Sequence, residues 1–128
     1  MVGYGPEDDF FVLELTYNYE KNSYELGNEL EGIYIKSDEV HNLVQGTGLA
    51  TTLSSGGVQI RDPDGHPIYI CAGSSESKIV KIGTRVKQLD KSVEYWSNHL
   101  GMKVIDKKDG ETATLSYGEG QVGVEQLL

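Results

Sequence analysis

The sequence predicts an α+β fold built from repeated β-α-β-β-β units, and three observations carry that prediction. The order strand, helix, three strands occurs twice along the 128 residues. Gly32-Ile33-Tyr34-Ile35-Lys36 and Gly83-Thr84-Arg85-Val86-Lys87 fall into register 51 residues apart, which marks an internal repeat. Sixteen glycines supply the turns that many short strands require. A unit of this kind leaves one apolar sheet face uncovered, so it is expected to be stable only when paired with a second.

Each element has a local reason. Met1 to Gly5 is a short extended piece, and Gly5-Pro6-Glu7-Asp8-Asp9 is a turn cluster. Phe10 to Tyr19 (FFVLELTYNY) is the strongest strand signal, with Val12, Glu14, Thr16 and Asn18 on one face. Glu31 to Lys36 reads as a strand, and Ser37 is placed to cap a helix whose apolar positions are Val40, Leu43 and Val44. Gly46 ends that helix. Leu49 to Leu53, Gly57 to Arg61 and Pro67 to Cys71 are three strands, with Asp64-Gly65 as a hairpin turn. After the polar stretch Ala72 to Lys78 the order repeats. Ile79 to Lys87 is a strand, Asp90 caps a helix with Val93, Trp96 and Leu100 on one edge, and Gly101 ends it. Met102 to Asp106, Thr112 to Tyr117 and Val122 to Leu127 are the last strands. The expected layout is residues 1–20 as the last two strands of a truncated unit, 27–73 as a second unit and 79–128 as a third.

Composition narrows the function. Eleven basic against twenty acidic residues give a net charge of −9, which argues against nucleic-acid and anionic membrane partners. The mean hydropathy is −0.38, and no apolar run approaches the ~20 residues of a membrane-spanning helix. Glu7, Asp8 and Asp9 stand where a signal peptide would be basic. The single cysteine, Cys71, excludes an internal disulfide and fits a reducing compartment, cytoplasmic or mitochondrial.

Arg85 to Val104, RVKQLDKSVEYWSNHLGMKV, resembles the first strand and helix of glyoxalase I, a lactoylglutathione lyase. Leu13 to Tyr19, LELTYNY, resembles that family's strand carrying a metal-binding glutamate followed by Thr-x-Asn. DPDG with its following strand resembles the end of a further module. These are features of the vicinal-oxygen-chelate superfamily, also called the glyoxalase/bleomycin-resistance/dihydroxybiphenyl dioxygenase type. MVGYGPEDD and YELGNELEGI resemble a longer, four-module branch of it, so the chain is expected to be an internal fragment. The resemblance implies βαβββ modules in a curved mixed sheet with helices outside. It also implies a divalent metal (Zn, Ni or Mn) that polarises the hemithioacetal of methylglyoxal and glutathione while a carboxylate moves a proton.

Carried over residue by residue, Glu14 matches the last-strand metal ligand of the first module and Glu125 that of the third. Arg85 matches the arginine that holds the glutathione γ-glutamyl carboxylate, and Asn18 the asparagine that assists it. The other positions depart from the family. Leu30 stands where a histidine ligand is expected and Lys81 where a glutamine is. Tyr69 stands at the fourth residue past the DPDG glycine, in place of the glutamate that is both ligand and base. A tyrosine with a pKa of ~10 is a poor base at neutral pH.

The remaining chemistry-bearing residues have plainer readings. His41, His66 and His99 lack the spacing of a metal pair and read as surface residues. Cys71 reads as a buried or half-buried thiol, Trp96 as core, and the eight tyrosines as packing or an association surface. The leading expectation is a glyoxalase-like protein with no catalytic residues and no cofactor. It would act as a binding or interaction module for a glutathione conjugate or other small anion, assembled as a homo-oligomer. Its rival is a metal-dependent lyase or isomerase whose missing ligands come from further or partner modules, and a purely structural fragment is the third reading.

Overall fold

The computed structural model describes residues 1–118 and 122–127. Residues 119–121 and Leu128, inside the expected third unit, lie outside the described residues. The elements are β1 (Val2–Gly3), β2 (Val12–Leu13), β3 (Leu30–Lys36), α1 (Asp38–Gln45), β4 (Thr51–Thr52), β5 (Val58–Arg61) and β6 (Pro67–Cys71). They continue with β7 (Lys78–Val86), α2 (Leu89–Glu94) and a π-helical turn (Tyr95–His99), then β8 (Lys103–Lys108), β9 (Thr112–Ser116) and β10 (Val122–Gln126). The fold is mixed α+β, mostly sheet. Among the described residues no helix is long and apolar enough to cross a membrane.

The chain divides into two compact units, residues 1–26 with 33–79, and residues 27–32 with 80–128. In the first, the strand order is β4-β5-β6-β3. β3 lies parallel to β6 (Ile33↔Ile68, Ile35↔Ile70), while β5 is antiparallel to β6 and to β4. In the second the order is β7-β10-β9-β8, with β7 parallel to β10 and the other two pairings antiparallel. Each unit therefore repeats one topology, its first strand beside its last. That arrangement is the mixed sheet the family resemblance implies.

One sheet face of each unit carries the apolar core. In the first, Val44 of α1 sits on Val58 and Ile70, flanked by Ile35, Val40, Ile60 and Ile68. In the second, Leu89 of α2 meets Met102, Ala113, Leu115 and Val124, with Val93 and Trp96 packed against them. Leu115 is wholly buried.

The helix starts and ends show which local signals decided. Ser37 caps α1, its hydroxyl accepting from the Val40 N–H at 3.1 Å. The sheet-facing side of α1 holds Val44 and His41, not Leu43, which is largely exposed. His41, expected at the surface, is only 8% exposed, with Nε2 3.3 Å from the Gly56 carbonyl. Asp90 was expected to cap α2, but the Leu89 N–H is met by Gln126 Oε1 at 2.9 Å, and the Gln126 amide donates to the Lys87 carbonyl at 2.7 Å. Asp90 points to solvent and pairs with Lys107. The π turn, with Leu100 N–H on the Tyr95 carbonyl, shifts the helical register after Val93. Trp96 keeps its core contact while Leu100, expected beside it, becomes exposed.

The stretch from Phe10 to Tyr19 is also corrected. Only Val12–Leu13 forms a ladder, with Val2–Gly3. Leu15, Tyr17 and Tyr19 are 70%, 77% and 85% exposed, so the alternating pattern has no sheet to bury it among the described residues.

The β5–β6 hairpin is held by Asp62. Its two carboxylate oxygens engage the His66 N–H at 2.8 Å and His66 Nδ1 at 2.9 Å, while Gly65 takes a φ of +95° that a side chain resists. Burial pushes the Asp62 carboxyl up, but the His66 backbone and side-chain bonds, the His66 charge and the Asp64 backbone outweigh it and hold it below its ordinary value.

Two outcomes are expected. Leu115→Ala should cost about 2–5 kcal/mol in urea unfolding, whereas Leu49→Ala, at an exposed position, should be nearly neutral. Because the folded Asp62 carboxyl titrates below its unfolded value of roughly 3.9, its contribution is complete above that value and lost as pH falls through the lowered one. Asp62→Asn should therefore melt below the wild-type chain at neutral pH, and the gap should narrow as pH falls below about 4. A gap that stays constant over that range would show that the carboxylate charge contributes nothing.

Candidate functional site

Strand β7 and its neighbour β10 build the polar face of the second unit. Because side chains alternate along a strand, Lys81, Gly83 and Arg85 share one face, opposite the α2 core, and Lys87 follows directly after the strand. The parallel register sets Gly123 beside Gly83 and Glu125 beside Arg85. The two glycines leave a shallow floor. A Cβ at Gly83 would overlap the Glu31 carboxylate, and one at Gly123 would lie 3.3 Å from Lys81 Cδ, so those two charged side chains lie across the floor.

Next to it, Arg85 Nε stands 3.3 Å from Glu125 Oε2, both side chains partly exposed at 35% and 45%. The pair borders a cleft of about 420 Å³ lined by Asn28, Glu29, Thr84, Arg85, Val86, Lys87 and Leu127. Its backbone is fixed by Arg85 N–H on the Glu29 carbonyl at 2.6 Å and Leu127 N–H on the Val86 carbonyl at 2.8 Å. The cleft thus offers a fork-shaped cation, a second cation at the exposed Lys87 and an amide at Asn28. A planar guanidinium of this kind pairs with carboxylates.

Of the four residues singled out from sequence, Arg85 and Glu125 are brought together. Glu14 and Asn18 belong to the other compact unit, where both are exposed. Asn18 donates its amide to the Tyr24 hydroxyl at 2.7 Å, and Glu14 follows directly on β2. Tyr69 lies on β6, with its ring stacked on Tyr34 of β3 at 4.6 Å and its hydroxyl accepting from Gln59 at 3.1 Å. Its strand register, Tyr34↔Tyr69↔Gln59, puts the three on one face.

Sequence reasoning missed five participants. Glu31 and Lys87 have no motif to mark them; only the strand alternation that places Lys87 two residues after Arg85 was available. Asp62, Asp64 and His66 bring one ligand atom each to within 4.8 Å of the others and could hold a cation. Their alternate spacing in a turn was the visible signal, while both Asp62 oxygens already serve His66.

Comparison with known proteins gives the family and the fold. Residues 78–127 match the family model described as Glyoxalase/Bleomycin resistance protein/Dioxygenase superfamily. The chain is 38% identical over 125 residues to "Glyoxalase 1" of Caenorhabditis elegans, covering 98% of this chain and 44% of that protein. It is 37% identical over 129 residues to "Glyoxalase domain-containing protein 4" of Mus musculus, covering 98% and 43%. The chain thus spans less than half the length of these relatives. A crystal structure of a glyoxalase I mutant from Zea mays superposes with a TM-score of 0.78 at 26% identity, covering 96% of this chain and 52% of that one. Residues 78–127 form a domain of the Glyoxalase/Bleomycin resistance protein/Dioxygenase superfamily, and the chain has the glyoxalase I fold.

Proposed function

We propose that this chain is a glyoxalase-like binding or interaction module whose metal site is degenerate, and that it takes a glutathione conjugate or another small anion at Arg85. Tyr69 carries this reading. It stands where the family resemblance expects the glutamate that is both ligand and base. Its phenol is stacked on Tyr34 and hydrogen-bonded by Gln59, an arrangement suited to packing and not to proton transfer at neutral pH.

The donor chemistry at the other positions where the family resemblance expects ligands does not fit a divalent ion. Leu30 has no donor atom, Lys81 presents a cation, and the Glu125 carboxylate lies against Arg85. A cation at Glu125 would have to break that ion pair and face the guanidinium. The anion reading, by contrast, uses what the cleft offers. In this reading residues 1–20 are the end of a truncated unit, 27–73 and 79–128 are successive units, and the exposed Tyr17 and Tyr19 mark a surface for homo-oligomer assembly.

Glu14 favours a second reading, a metal-dependent lyase or isomerase of the methylglyoxal–glutathione hemithioacetal. Its carboxylate is exposed and enters no ion pair among the described residues, so it could join ligands from a further or partner module on Zn, Ni or Mn.

Hemithioacetal isomerisation assayed with each of these metals separates the two. No turnover above the uncatalysed rate is expected, and metal-stimulated turnover that vanishes in Glu14→Gln would establish the lyase. Glutathione at tenfold its Kd should raise the melting temperature by roughly 4–7 °C. That shift should be lost in Arg85→Ala, and a shift that persists there would move the anion elsewhere. Light scattering is expected to give a dimer; a monomer would remove the oligomer from the proposal.

A further inference from the structure

We propose that Glu125 is a built-in competitor for Arg85, so that the cleft favours anions able to displace a resident carboxylate. The inference rests on the reading of Arg85 as an anion site. Arg85 and Glu125 are direct neighbours in the parallel register, and the flanking pairs Thr84↔Val124 and Val86↔Gln126 fix both backbones. The backbone of Glu125 therefore stays beside that of Arg85 whether or not a ligand is present. The 3.3 Å contact uses Nε, which is one of the two nitrogens a carboxylate needs for a side-on paired approach.

The charges around the cleft say how strong the competition is. Arg85 and Lys87 are countered by Glu125 and Glu29, leaving the rim close to neutral. A ligand carboxylate that binds end-on and leaves Nε alone still meets the negative charge of Glu125 beside it. One that binds side-on must exchange places with Glu125, whose freed carboxylate then turns to solvent, to which it is already 45% open. Such partly exposed pairs are weak individually, so the competitor sets selectivity and does not close the site. Anions with a single carboxylate replace like with like and gain little. Those with a second negative group for Lys87 are the class the cleft favours.

The test is calorimetry with glutathione on the wild-type chain and on Glu125→Gln, which keeps the shape and removes the charge. The variant should bind about three- to fivefold tighter, the scale of one exposed ion pair. Arg85→Ala/Glu125→Gln should not bind, because the gain runs through the guanidinium. Glu125→Asp, which draws the carboxylate back by one methylene, should fall between wild type and Glu125→Gln and guards against a folding defect in the latter. Equal or weaker binding by a folded Glu125→Gln overturns the competitor while leaving the anion site in place. Failure of both wild type and Glu125→Gln to bind overturns the competitor and the anion site together.

Discussion

In each compact unit the first strand and the last lie side by side and parallel, β3 on β6 and β7 on β10. A parallel pair cannot be closed by a tight turn; its connection must cross over and return. Here the connection consists of a helix and two antiparallel strands. Once the parallel ladder is formed, the helix has one sheet face to cover, and the alternation of side chains decides which residues it meets. Ile35, Ile70 and Val58 go to α1 in one unit, and Val124, Ala113 and Leu115 to α2 in the other. The opposite face is left for polar chemistry. Tyr34, Tyr69 and Gln59 stand on it in the first unit, and Arg85 and Glu125 in the second.

The same ladder explains why much of the fold was legible and part of it was not. Turns and caps that draw on near neighbours could be read directly: Ser37 reaches three residues to Val40, and Asp64-Gly65 turns within its own hairpin. The start of α2 could not, because its cap is Gln126, 37 residues away, brought there by the parallel strand β10. Leu100 was misplaced because periodicity assumes 3.6 residues per turn, and the π turn at Tyr95–His99 breaks that count. Phe10 to Tyr19 has a strand's alternation, yet alternation states only which face would be buried. It cannot supply the neighbouring strand, and among the described residues only Val12–Leu13 has one.

The candidate site divides along the same line. Arg85 and Glu125 were each visible through local likeness to a known family, with a role for each on its own. Their pairing depends on a register between strands 40 residues apart, which no local pattern records. The pairing changes what each can do. A carboxylate committed to a guanidinium is a worse metal ligand, and a guanidinium committed to a carboxylate is a weaker anion receptor.

Tyr69 shows how the ladder ties one side chain to a whole row. A carboxylate at that position would sit in register between Tyr34 and Gln59. It would exchange a stacked ring, at 4.6 Å and 18° from its neighbour, for a charge placed against an aromatic face. The negative face of a π system repels an anion, so Tyr34 favours the tyrosine that is present over the glutamate that is absent. Gln59 would still donate a hydrogen bond, while a half-buried carboxylate carries a larger desolvation cost than a phenol. The strand partners on both sides thus suit a phenol. A carboxylate at residue 69 would call for repacking the row from β3 to β5, because the ladder that builds the unit also fixes which side chains stand beside it.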